Sequence, residues 1–192
     1  IGLFVLIQLP QLAIYVGLAA TPLVVIYPLA KRVTWFPQFV LGLTFSWGVL
    51  LGWVAVAESL PPFSITFIYL GSVFWVFGYD TIYAIQDMED DRTVGIKSSA
   101  LAFGSRIRLG TGVAYLIAIG LIATGLLLFE HDGFTPVMLG WIGLASMAIN
   151  LGMQIYRIRI DSAKLALDLF KSNRNAGLFL VAGLMLDRLS SG

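Results

Sequence analysis

The chain has 192 residues, 58% of them hydrophobic and 12% charged, with a mean hydropathy of +0.89 and a formal net charge of +1. Water-soluble domains carry roughly 25% charged residues, so this composition marks an integral membrane protein. The absence of cysteine and the single histidine exclude a disulfide framework, a thiolate or histidine-rich metal site and a thiol nucleophile, and the near-zero charge excludes a basic nucleic-acid binder.

The opening run Ile1 to Ile7 is apolar, with neither an initiator methionine nor the basic flank and small-residue cleavage site of a signal peptide, and is expected to be the cut end of a longer chain. Crossing a bilayer core of about 30 Å takes about 20 mostly apolar helical residues. Six such stretches follow: Gln11 to Ala30, Phe36 to Ala57, Phe63 to Tyr83, Leu109 to Phe129, Phe134 to Tyr156, and a shorter one, Ala176 to Leu189. The runs are continuous rather than alternating and exceed a barrel strand of about 10 residues, so the expected class is all-α, a polytopic helical bundle. Glycines scattered through the spans, among them Gly42, Gly48, Gly52 and Gly143, permit close helix packing.

The connections alternate in charge. Lys31 to Trp35, Ala84 to Arg108 and Arg157 to Arg174 hold eleven of the twelve Lys and Arg residues, whereas Glu58 to Pro62 and Glu130 to Gly133 hold none. By the positive-inside rule the basic loops face the cytoplasm, or the matrix in a mitochondrion. The segment Asp161 to Phe170 places Leu165, Leu169 and Phe170 at helical spacing and reads either as a surface-lying helix or as a solvated connector. His131, alone between Glu130 and Asp132, reads as a turn residue.

Five of the eleven acidic residues fall between Tyr79 and Asp91, at the basic-side end of the third full span. If that span continues as a helix at about 100° per residue, Asp80, Asp87 and Asp91 share one stripe, with Asp90 and Glu89 turned away. Burying an unpaired carboxylate in a membrane helix is costly, and three aligned carboxylates repel one another. A divalent cation relieves both penalties, and all-oxygen ligands in an Asp-x-x-x-Asp pair suit Mg²⁺. The competing reading is a solvated acidic loop. Tyr27 and Lys31, at i and i+4, can point a phenol and an ammonium toward the same place, with Arg32 beside them. Arg92 and Lys97 add cations for phosphate oxygens. Each of these cations also reads as an ordinary interfacial anchor.

The string Tyr79-Asp-Thr-Ile-Tyr-Ala-Ile-Gln-Asp-Met-Glu-Asp-Asp91, followed by Gly95-Ile-Lys-Ser-Ser-Ala100 and preceded by Tyr27-Pro-Leu-Ala-Lys-Arg32, resembles the UbiA-type membrane prenyltransferases. Within that family it is most similar to members that prenylate 4-hydroxybenzoate for ubiquinone. The resemblance implies a nine-span bundle around a cavity, of which residues 1–192, as one prenyltransferase domain, would supply helices four to nine and the end of helix three. Asp87 and Asp91 match the second Asp-rich motif, and Tyr27 and Lys31 match a Tyr-x-x-x-Lys element; the family's first Asp-rich string is absent from these residues. So implied are Asp87 and Asp91 as Mg²⁺ ligands and, with Arg32, as catalytic groups. Tyr27, Lys31, Arg32, Asp80, Tyr83, Arg92 and Lys97 are implied to contact polyprenyl diphosphate and 4-hydroxybenzoate. The piece alone is expected to be inactive, in a bacterial inner membrane or alternatively a mitochondrial one. A related enzyme with another aromatic acceptor, or a catalytically dead scaffold, are the alternatives.

Overall fold

The computed structural model describes residues 2–130 and 135–190. Helices α1 (Gly2–Leu6), α2 (Gln11–Ala19) and α3 (Thr21–Val33) lead into α4 (Pro37–Ala57) and α5 (Phe63–Tyr83). Two short helices, α6 (Met88–Val94) and α7 (Ser99–Phe103), and a 3₁₀ turn at Gly104–Arg106 connect to α8 (Ile107–Leu127), α9 (Met138–Arg157) and α10 (Ala163–Ser190). Among the described residues there is no strand. Five helical segments are long and apolar enough to cross a membrane: Gln11–Val33, Pro37–Ala57, Phe63–Tyr83, Ser99–Leu127 and Met138–Arg157.

Two boundaries differ from the sequence expectation for identifiable reasons. The first span is interrupted at Ala20 because Pro22, in the first turn of α3, cannot donate the backbone bond that would continue α2. The short last span is the far half of the 28-residue α10, which reaches back to Ala163 and absorbs most of the amphipathic segment expected to be separate. Lys164, Asp168, Lys171 and Arg174 interrupt its apolar character, so it stands outside the five. His131 and Phe134 lie outside the described residues.

α5 is the hub of the bundle, flanked by α4, α8 and α10, while α9 packs along α10. Half of its apolar window is buried, against 6% for Gln11–Val33, which presents its side chains outward. Close crossings rest on glycine. A Cβ on Gly71 would meet the Ala118 carbonyl of α8 at 2.9 Å. One on Gly143 would meet the Phe179 carbonyl of α10 at 2.6 Å. Gly48 and Gly52, by contrast, face open space. Exposed Phe45, Val56, Phe63 and Leu116 form the outer apolar surface expected against acyl chains.

Polar atoms tie helix ends across the bundle. Arg108 of α8 donates through Nε and Nη2 to the Ile158 carbonyl at 3.0 and 2.6 Å, satisfying the C-terminus of α9. At the other end of α9, the buried Asp187 carboxylate accepts from the backbone N–H groups of Val137, Leu139 and Gly140 at 2.8, 3.0 and 2.6 Å. An anion at a helix N-terminus is favoured by the orphan N–H groups and the dipole together; here it is supplied by a different helix.

Candidate active site: acidic and basic groups at one end of the bundle

The helix α5 does not run on through the acidic segment. Residues Ala84 to Asp87 form a tight turn whose bonds are of the i to i+3 type, from Ile85 N–H to Ile82 O at 3.1 Å and from Gln86 N–H to Tyr83 O at 3.1 Å. α6 then starts with Asp87 in its cap position. The uninterrupted stripe through Asp80 is therefore corrected, because the 3₁₀-like turn winds tighter than an α-helix. Asp87 and Asp91 keep their one-turn spacing, with Asp91 N–H donating to Asp87 O at 2.7 Å. Asp80 sits half-buried in α5, seven residues earlier in the chain, and within electrostatic reach of Asp87.

The string after the acidic run locks this end in place. Gly95 ends α6 at φ +76°, a left-handed conformation that glycine adopts without strain. Lys97 then clips the segment to the end of α3: its N–H donates to Lys31 O at 3.2 Å, and its Nζ donates to Val33 O at 3.1 Å while lying 5.7 Å from the Trp35 ring. Ser98 caps α7, and Ser99 binds twice. Its N–H donates to Gln38 Oε1 at 3.0 Å, and its hydroxyl meets the Thr81 hydroxyl at 2.7 Å.

Clipped in this way, α3 brings its basic end to the carboxylates. Lys31 Nζ lies 5.8 Å from the Tyr27 ring centroid and within electrostatic reach of both Asp80 and Asp91. Burial, and then the neighbouring Asp87, push the Asp91 carboxyl above its ordinary value, with Lys31 and the Ser98 hydroxyl only partly offsetting them. Asp91, Arg92, Lys97 and Trp35 line a cavity of about 420 Å³. The arrangement thus sets two carboxylates that form no ion pair among the described residues close to Lys31, Arg92 and Lys97.

Two candidates stand apart. Arg32 is exposed and makes no hydrogen bond or ion pair among the described residues. Tyr83 turns its ring against Phe170 of α10, with centroids 4.7 Å apart. A second cavity, of about 500 Å³, opens between α5 and α10 and is lined by Trp75, Tyr79, Phe170, Lys171, Asn173 and Arg174. None of these six is among the site residues expected from the sequence. The available signal was the pair Lys171 and Arg174, one turn apart on a helix running on into apolar residues.

Behind that cavity lies a buried polar network. Trp75 Nε1 donates to Asn173 Oδ1 at 2.9 Å, and Asn173 Nδ2 donates to Gln154 Oε1 at 3.2 Å, as does the Tyr115 hydroxyl at 2.7 Å. Gln154 Nε2 donates to Asn150 Oδ1 and to Ser172 Oγ, both at 3.0 Å. Indole is donor-only, so Trp75 fixes which way the Asn173 amide points and thereby the direction of the whole chain of bonds.

Comparison with known proteins accords with this architecture. Three relatives named "4-hydroxybenzoate polyprenyltransferase, mitochondrial" align over 98% of this chain. That of Mus musculus is 41% identical with 49% of its length covered, that of Arabidopsis thaliana 41% with 45%, and that of Drosophila melanogaster 39% with 47%. The chain therefore spans about half the length of the curated relatives it matches. The apo structure of a UbiA homolog from Aeropyrum pernix K1 superposes with a TM-score of 0.78, covering 95% of this chain and 66% of that one; at 22% identity it speaks for the fold alone. The family model for the UbiA prenyltransferase family matches residues 1–181, and the chain belongs to that family.

Proposed function

We propose that the protein transfers a polyprenyl group from polyprenyl diphosphate to the ring carbon ortho to the hydroxyl of 4-hydroxybenzoate, a step in ubiquinone biosynthesis. The observation that carries this reading is the Asp87–Asp91 pair. The two carboxylates stand one turn apart just beyond the end of a membrane helix, Asp91 lines a cavity with Arg92 and Lys97, and neither carboxylate makes an ion pair among the described residues. Relatives about 40% identical over nearly the whole chain bear the name of that activity. The excess of Lys and Arg in the loops at the reacting end supports a cytoplasmic orientation in a bacterial inner membrane, or a matrix one in a mitochondrial membrane.

The donor set fits Mg²⁺. Asp87 and Asp91 offer hard oxygen ligands without sulfur or nitrogen, and the raised carboxyl of Asp91 is relieved by a neighbouring cation. Among the described residues no group of three or more potential ligands gathers, so these residues supply two carboxylates and leave other positions to water and phosphate oxygens. When bound, Mg²⁺ would offset the charge growing on the departing diphosphate.

The chain's own residues do the rest. Lys31 and Arg92 add positive charge on the leaving-group side, and Lys97, held by the Val33 carbonyl, keeps its remaining N–H donors at the cavity wall. Phe36, Phe39, Phe77 and Phe103, in tilted and edge contact at 5.8 to 6.3 Å, form an aromatic layer that keeps water from an electron-deficient allylic carbon. The allylic C–O bond breaks with its electron pair leaving on the diphosphate, the ring carbon forms the new C–C bond with the prenyl group, and loss of the proton from that carbon to the released diphosphate or to water restores the aromatic ring.

The test is Mg²⁺-dependent transfer of a radiolabelled prenyl group to 4-hydroxybenzoate, in membranes carrying the full-length protein. Asp87→Ala and Asp91→Ala each lower turnover by about 100-fold or more. Undiminished activity in both variants, or in excess chelator, refutes the assignment.

A further inference from the structure

We infer that the cavity between α5 and α10 is the subsite for the acceptor, taking a flat aromatic carboxylate with its acid group on Lys171 and Arg174 and its ring against Trp75 and Tyr79. This deepens the proposed function and rests on it.

Four observations carry the assignment. The cavity's volume of about 500 Å³ lies within the range of roughly 300–1,000 Å³ typical of small-molecule pockets. Its walls are rings in edge-on contact, with Trp75 and Tyr79 centroids 5.9 Å apart and Tyr79 and Phe170 5.5 Å apart. Such a wall offers ring faces and edges against which a planar aromatic ligand packs. Its polar groups are cationic. Lys171 and Arg174 lie at i and i+3 on one face of α10, and neither forms an ion pair among the described residues. Arg174 Nε reaches only the Asn175 side chain, at 3.4 Å, which leaves its terminal N–H groups for a carboxylate. Finally, the wall is rigid, because Trp75 and Asn173 are pinned from behind by the Gln154 network.

Position gives the cavity its meaning. Tyr79 precedes Asp80 in sequence and lies within its electrostatic reach, so a ring held here is adjacent to the carboxylate end. The two anionic substrates would repel each other if bound by one set of cations. Here the acceptor's carboxylate is taken by α10, and the diphosphate by the metal side with Lys31, Arg92 and Lys97.

The experiment uses the full-length protein in membranes and the double variant Lys171→Gln/Arg174→Gln. Its KM for 4-hydroxybenzoate rises about tenfold or more, the loss of charge-assisted bonds to a carboxylate, while its KM for polyprenyl diphosphate is unchanged. Arg174→Lys, which keeps the charge, restores part of the affinity. Wild type prefers 4-hydroxybenzoate over its neutral amide, and the double variant loses that preference. An unchanged KM for the acid, or a rise confined to the diphosphate, overturns the assignment. Equilibrium binding of radiolabelled 4-hydroxybenzoate separates the two proposals. If no prenyl transfer occurs, the proposed function fails. Saturable binding by wild type that the double variant lacks still upholds the subsite, and absence of saturable binding in that inactive protein overturns it.

Discussion

Replacing Gln154 by leucine removes a side chain that hydrogen-bonds four others behind the α5–α10 cavity. In the native chain its amide is fully used: Oε1 accepts from Tyr115 and Asn173, and Nε2 donates to Asn150 and Ser172. Gln154 is 2% exposed and Tyr115 2%, so water cannot substitute for the lost partners. Hydrogen bonds between membrane helices average about 0.6 kcal/mol each, which puts the loss of the three that cross to α8 and α10 at about 2 kcal/mol. Adding Tyr115→Phe to Gln154→Leu removes the hydroxyl that the first change strands, so the two substitutions are non-additive, with a coupling of about 1 kcal/mol. Reversible unfolding in mixed detergent micelles, followed by helical circular dichroism, measures all four corners of the cycle. A loss below about 0.5 kcal/mol for Gln154→Leu, together with strict additivity, would refute the claim that this network holds α5, α8, α9 and α10 together.

Other perturbations read other parts of the fold. Gly183→Ala drives a methyl into the Leu139 carbonyl, and relieving that overlap forces α9 and α10 apart; a destabilisation of about 1–3 kcal/mol is expected in the same unfolding assay. Gln38→Leu strands the buried N–H of Ser99, at a cost of about 1–3 kcal/mol, and loosens α7, so limited proteolysis between residues 84 and 98 accelerates. Asp91 gives a pH signature. Because burial and Asp87 raise its carboxyl above the ordinary value of 3.8 in the fold, the folded metal-free protein holds that proton more tightly than the unfolded chain does. Thermal stability in chelator therefore declines as pH rises from about 3.8 through the raised value, and Mg²⁺ added above that window restores it; a flat metal-free profile over that range would contradict the reasoning.

The spans were legible because a bilayer demands length and apolarity, both of which are printed in sequence order. Phe63–Tyr83 is the observed α5 to the residue, and α4 and α8 depart by no more than two residues at either end. The one-turn spacing of Asp87 and Asp91 was legible for the same reason, since it depends on local geometry alone. The turn at Ala84 to Asp87 was not, because no glycine or proline marks it; it is imposed by Gln38, Thr81 and Ser99 tying the following segment to the bundle. Long-range partners escape sequence patterns by their nature. Trp75 and Asn173 are 98 positions apart, and the Lys97 clip reaches Val33 across 64. The continuity of α10 was obscured because Lys171 and Arg174 look like a boundary until a cavity is seen beside them.

The clasp between Asp187 and the start of α9 also sets a schedule. The N–H groups of Val137, Leu139 and Gly140 emerge from the ribosome about fifty residues before the carboxylate that receives them. At roughly 5–20 residues per second, α9 exists for several seconds without its cap. During that interval its polar end must stay with headgroups or water, because hydrocarbon offers those donors nothing. The helix made later is thus the one that finishes the helix before it, and the α9–α10 pair completes itself only once both have left the ribosome.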